Sequence, residues 1–133
     1  MKSKLLAVFV SVIGLCIVSS PIHAHHGSSV YDSKSLTTLK GTVTDFQFVN
    51  PHTELYFDVK DASGKIEKWA AEASSLTTMA RFGWTRNILK PGDQITVEGN
   101  RAKNGSYTMR LHKVVLPSGK VTTLDRGEDY ADQ

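Results

Sequence analysis

Hydrophobic and polar positions alternate with a period of two over most of this chain, and the places where that alternation slips are as informative as the places where it holds. From Leu39 to Val49 the residues are β-favouring, with Leu39, Gly41 and Val43 on one phase and Phe46 and Phe48 on the other. A phase switch inside one run predicts a β-bulge or strong coiling near Thr44-Asp45, as when one long strand serves two parts of a curled sheet. Asn50-Pro51-His52 reads as a turn, after which Leu55, Phe57 and Val59 alternate with Glu54, Tyr56, Asp58 and Lys60, the pattern of a half-buried strand. Ala62-Ser63-Gly64-Lys65 makes the next turn, and Ile66 to Glu72 form a third strand containing Trp69. At Ser74-Ser75 an N-cap precedes Leu76, Met79, Ala80 and Gly83 at helical spacing, predicting one short helix from Ser75 to Phe82. Trp84 and a capped turn through Ile88 and Leu89 lead to Lys90-Pro91-Gly92-Asp93, which launches the strand Gln94 to Gly99 with Ile95 and Val97 inward. Asn104-Gly105 is a strong hairpin signal. The last strand, Tyr107 to Leu116, repeats the phase switch: Tyr107, Met109 and Leu111 lie on one phase, Val114 and Leu116 on the other.

Strand, strand, strand, helix, strand, strand, with long first and last strands that change face, is the order of a small five-stranded Greek-key barrel of the OB type. An open antiparallel sheet with one helix packed on it is the runner-up. Closure is favoured because the two phase switches let long strands bend around a small barrel.

The apolar opening changes the picture of where this domain works. Lys2 and Lys4 precede an almost unbroken apolar run from Leu5 to Val18, and Ser19-Ser20-Pro21 break it ahead of Ile22-His23-Ala24. These are the parts of a cleavable signal peptide over residues 1–24, ending on small Ala24. The run is shorter than the roughly 20 apolar residues of a membrane span. The expected organisation is therefore a signal peptide over 1–24, a flexible tail over 25–35, the barrel over 36–124 and a polar tail over 125–133. The destination is periplasmic or extracellular, with no membrane attachment after cleavage. The single cysteine, Cys16, leaves with the leader, which excludes disulfides, thiolate catalysis, Cys-based zinc sites and iron–sulfur clusters. Lys2 and Lys4 leave too, so 16 basic residues become 14 against 13 acids, a net charge of +1. Basic residues are scattered singly among acids rather than gathered on a face. With export, that sets nucleic acid aside as an expected partner and leaves a small ligand, a metal ion or another exported protein.

Several segments are familiar as a set. They are the mature start A-H-H-G-S, then L-K-G-T-V-T, N-P-H-T, D-A-S-G-K, the run R-F-G-W-T-R-N-I-L-K-P-G-D-Q-I-T-V-E-G, and R-A-K-N-G-S. In this order, over nearly all of residues 24–124, the chain resembles the bacterial secreted family known as domain of unknown function 6152. The resemblance implies an exported small β-domain and carries no activity with it. Gly27 stands where that family's pattern has Ser directly after the two His.

Chemistry must then come from the residues. Cleavage after Ala24 makes His25 the first residue, and its free amine and Nδ1 can chelate a metal in a six-membered ring. A second imidazole gives a nitrogen-rich set that suits Cu(II) best, with zinc also open. The amine, amide and imidazole of the His25-His26 pair form an alternative equatorial set. The amine titrates at roughly 7.7–8.0 and imidazole near 6.5, so binding weakens as pH falls below neutral. His52, in the Asn-Pro-His turn, is the candidate third metal ligand, and His112 is further along the last strand. Distance is the difficulty: a flexible tail over 25–38 averages about 20 Å between its ends, while His52 lies up to about 36 Å along a straight first strand. Reaching it requires the tail to be ordered against the barrel. The bland reading keeps His25, His26, His52 and His112 as tail, turn and surface residues.

The aromatic residues form a second constellation. Phe46, Phe48, Tyr56, Trp69 and Trp84 fall where OB barrels take ligands. Tyr56, on the polar phase of its strand, together with Trp69 and Trp84, is the candidate surface for a small ligand, carbohydrate or peptide. An enzyme is the least supported class. Glu54, Asp58 and Glu72 show no catalytic spacing, there is no G-x-S-x-G elbow or phosphate loop, and Ser28 and Ser29 form no held triad. The expected function is thus a non-enzymatic exported binding module, with copper as its most concrete cofactor and the aromatic surface as the alternative.

Overall fold

The computed structural model describes residues 30–124. The leader, His25 and His26, and the tail over 125–133 lie outside the described residues. Among the described residues six strands and one α-helix follow in chain order: β1 Thr37–Gln47, β2 Glu54–Lys60, β3 Ile66–Glu72, α1 Leu76–Arg81, β4 Gln94–Arg101, β5 Thr108–Val115 and β6 Val121–Thr123. Antiparallel pairs join β3 to β2, β2 to β1, β1 to β4 and β4 to β5, and a parallel pairing of Ala70–Glu72 with Thr108–Arg110 closes the ring. This is a closed OB-type barrel rather than an open sheet. β6, paired only with the end of β5, is an added edge strand that the sequence pattern does not announce.

Both phase switches are bulges. On β1, Thr37–Thr42 pair with β4 and Thr42–Gln47 with β2, and the register to β2 slips between Val43 and Asp45. The long strand is thus handed from one neighbour to the other at the point where its apolar phase changes. On β5, Lys113 faces Glu98 and Leu111 faces Gly99, which leaves His112 as the extra residue. Met109 and Leu111 before it, and Val114 after it, all remain buried. Two glycines allow the tight coiling. A Cβ on Gly99 would meet the Arg110 carbonyl oxygen at 2.1 Å, and one on Gly41 would meet the Asp58 carbonyl oxygen and the Phe57 ring at 2.7 Å each.

The core gathers Val43, Leu55, Phe57, Trp69, Ala71, Val97, Met109 and Val114 from the inward phases of the strands. α1 starts where the sequence signals it. The Ser75 side chain accepts from the Thr78 N–H, Asn50 Oδ1 accepts from the Leu76 N–H at 3.2 Å, and Met79 is sent into the core. Among the described residues no helix is long and apolar enough to cross a membrane.

Residues 30–35, expected as part of a tail, lie on the barrel instead. Tyr31 bridges Ala102, the Asp32 N–H donates to the Arg101 carbonyl at 2.9 Å, and the Lys103 N–H donates to Val30 at 2.9 Å. Asn100, mostly buried, donates its side-chain amide to the carbonyls of Asp32 and Ser35, each at 2.8 Å, and pairs its oxygen with Nε2 of His112. The bulge on β5 thus brings His112 to the residue that clamps this segment. His112 is half-buried within that network rather than an ordinary strand surface residue.

Candidate functional site

The turn before β2 delivers His52 to one end of the β2–β3 ladder. The Thr53 N–H donates to Ser74 and the Ala73 N–H to Thr53, at 3.0 and 2.8 Å, adding one more rung to the ladder. Asn50 is tied to the start of α1, and the Asn50–Pro51 peptide is cis. Held from both sides, His52 directs Nδ1 onto Oε1 of Glu72, the last residue of β3. The other oxygen of the same carboxylate accepts from the Tyr31 hydroxyl at 2.9 Å. Glu72 therefore joins the N-terminal segment and the Asn-Pro-His turn, which the sequence keeps apart. Arg110 on β5 and Glu54 on β2 are its ladder neighbours, and the Tyr56 hydroxyl donates to Glu54.

Both phenols are held in the neutral, donating form. Burial pushes Tyr31 up to about 12, reinforced by the hydrogen bond to Glu72 and that residue's charge, against the opposing pull of Arg110. For Tyr56 the hydrogen bond to Glu54 comes first, then burial and the Glu54 charge, again reaching about 12. His52 and Glu72 keep 48% and 37% of their side-chain surface in solvent, so a ligand can approach from outside. Among the described residues no three His, Cys, Asp or Glu side chains converge on a metal-sized site.

The aromatic surface needs correction. Trp69 is 3% exposed and Trp84 2%, so neither is available for a ligand to stack on. Trp69 lies on the inward phase of β3, stacked at 6.5 Å on Phe57, with the Arg101 guanidinium 4.9 Å over its ring. Trp84 packs 6.0 Å from Phe46, which in turn lies 5.9 Å from Phe48. Tyr56 faces Ala70 across the ladder while Trp69 faces Phe57, so Tyr56 and Trp69 occupy opposite faces of the sheet. The residues that sequence reasoning missed are Tyr31 and the role of Glu72. Both sit in stretches with no local motif, and only barrel closure brings them together.

The sequence model of the family of unknown function DUF6152 matches residues 13–110. The chain belongs to that family. No curated protein matches the DUF6152 chain. Among solved structures it is similar to the mitochondrial single-stranded DNA binding protein of S. cerevisiae. One crystal form aligns at 11% identity over 62% of this chain and 92% of that one, with a TM-score of 0.47. A second form aligns at 10% identity over 62% and 91%, with a TM-score of 0.48. A further similar structure is the ZRD-deleted mutant of TiaS in complex with agmatine, at 20% identity over 77% of this chain and 25% of that one, with a TM-score of 0.44. At these identities the likeness is one of barrel architecture.

These neighbours overturn one expectation. The expectation that nucleic acid is no partner is withdrawn, since the solved structures similar to this chain include single-stranded DNA binding proteins. The physical reason is that barrels of this kind engage single strands through a local groove and stacking side chains. A net charge summed over the whole chain does not measure such a groove.

Proposed function

We propose that the DUF6152 chain is an exported, non-enzymatic binding protein whose ligand is a late transition metal, copper before others. The donors are the amine and ring of His25, freed by cleavage after Ala24, with His26 and Nε2 of His52. One observation carries the reading. Tyr31 and His52 share the Glu72 carboxylate, so the chain leading back to His25 starts beside His52 rather than at the far end of β1. From Tyr31 back to His25 is six residues, a reach of at most roughly 20–22 Å, in place of the roughly 36 Å along a straight first strand. The nitrogen-rich donor set favours Cu(II) over harder ions. The aromatic-surface alternative loses support with the burial of Trp69 and Trp84.

The test is Cu(II) titration, by calorimetry and electron paramagnetic resonance, of three mature proteins: one beginning at His25, one carrying an extra N-terminal Gly, and His52→Ala. The natural terminus is expected to bind most tightly and with a distinct nitrogen-coupled spectrum, and both other proteins are expected to weaken it. Equal, weak binding by the natural and Gly-extended forms overturns the amine as a ligand. An unchanged affinity and spectrum in His52→Ala removes His52 from the set.

A further inference from the structure

We infer that Glu72 is the positioning residue of this site, setting which nitrogen His52 presents and where the N-terminal segment begins. The inference rests on the metal reading for its purpose, but its geometry stands on the described residues. A carboxylate only accepts hydrogen bonds. With Oε1 of Glu72 on Nδ1 of His52, the ring carries its proton on Nδ1 and turns the lone pair of Nε2 outward. Partners of this kind on the far nitrogen of a ligating histidine fix its tautomer and orientation and raise its basicity.

The second oxygen of Glu72 is equally committed. It accepts from Tyr31 at 2.9 Å, and Tyr31 is fastened behind by its bridge to Ala102 and by the bonds at Asp32 and Lys103. Glu72 is itself held on both sides, by Glu54 across β2 and by Arg110 across β5. It sits on the short parallel pairing that closes the barrel, so its place follows from the fold rather than from a surface loop. Two carboxylates directly opposite one another on a ladder are an unfavourable pair. Here each carries a phenol: Tyr56 on Glu54, Tyr31 on Glu72.

The experiment uses the mature protein with its natural terminus and the variants Glu72→Ala, Glu72→Gln and Tyr31→Phe. Nitrogen NMR of the metal-free proteins, well above the ordinary imidazole pKa of roughly 6.5, reads the tautomer of His52 directly. The natural protein should show the Nδ1–H form. Glu72→Ala should return the ring to the Nε2–H form that free histidine prefers, and Glu72→Gln, which keeps an acceptor, should restore Nδ1–H. Copper affinity should fall by roughly 10–100-fold in Glu72→Ala. In Tyr31→Phe it should fall severalfold with the tautomer unchanged. A His52 already in the Nε2–H form in the natural protein, or one indifferent to Glu72→Ala, overturns the inference whatever copper does. A tautomer that responds as expected in proteins that all fail to bind copper supports the orientation of His52 by Glu72 and overturns the metal reading instead.

Discussion

Replacing Gly99 with alanine tests how the barrel closes. A Cβ at Gly99 lies 2.1 Å from the Arg110 carbonyl oxygen and 3.0 Å from its carbonyl carbon, whereas real Cβ contacts essentially never fall below 3.0 Å. The obstacle is backbone, so no rotamer change relieves it. β4 and β5 must separate by about 0.9 Å, the difference between 3.0 and 2.1 Å, beside the bulge at His112. A ladder bond of roughly 2.9 Å stretched that far leaves hydrogen-bonding range. Overpacking costs roughly 1–3 kcal/mol and the ladder bond lost about 0.5–1.5 kcal/mol, so Gly99→Ala should lose about 1.5–4.5 kcal/mol in sum. That is a large part of the roughly 5–15 kcal/mol that holds a domain together. Equilibrium urea unfolding followed by tryptophan fluorescence measures it, since Trp69 and Trp84 are both buried in the folded state. The expected result is a lower midpoint at unchanged slope. Gly105→Ala is the control: Gly105 has φ +80° with open space around an added Cβ, so it should lose only the roughly 1–2 kcal/mol of left-handed backbone. A Gly99→Ala protein no less stable than Gly105→Ala refutes the close approach of β4 and β5.

Two further outcomes follow from the described contacts. Tyr31 and Tyr56 have their phenols raised from 10.0 to about 12. The stability they contribute as neutral donors is therefore complete below about pH 10 and is lost as pH rises through about 12. In an ultraviolet phenolate titration Tyr31→Phe and Tyr56→Phe should each remove one late-ionising group, and a variant that leaves the late phase intact shows its hydrogen bond is not made in solution. Trp69→Ala should destabilise by roughly 3–5 kcal/mol while leaving copper affinity of the folded protein unchanged; a variant of full stability with altered ligand binding would return Trp69 to the surface.

What the sequence discloses and what it hides divide along a physical line. The bulges near Thr44 and at His112, the short helix after Ser75 and the inward phases of β2 and β4 are all legible, because each is written in local periodicity or capping chemistry. β6 escapes because three residues after a turn carry no period. The clamp on residues 30–35 escapes for another reason: Asn100 and Tyr31 act through bonds to partners far away in the chain. His52 is legible as a candidate, but its partner is not, since Glu72 reads as one more outward acid on an alternating strand. Burial of Trp69 follows from its phase, opposite Phe57, whereas Trp84 lies in a loop where no alternation reveals its side.

The division of β1 between two neighbours has a consequence for the order in which the chain can fold. As the polypeptide emerges from its N-terminal end, Thr42–Gln47 find β2 within a short turn, and β2 finds β3, so a three-stranded meander is available early. Thr37–Thr42 must wait for β4, and the end of β3 for β5. Contacts between such distant segments slow folding. Until they form, the meander exposes two unsatisfied strand edges to any other chain nearby. The vulnerable interval in this protein's life is therefore the passage of residues 73–115, after the meander exists and before the ring is shut.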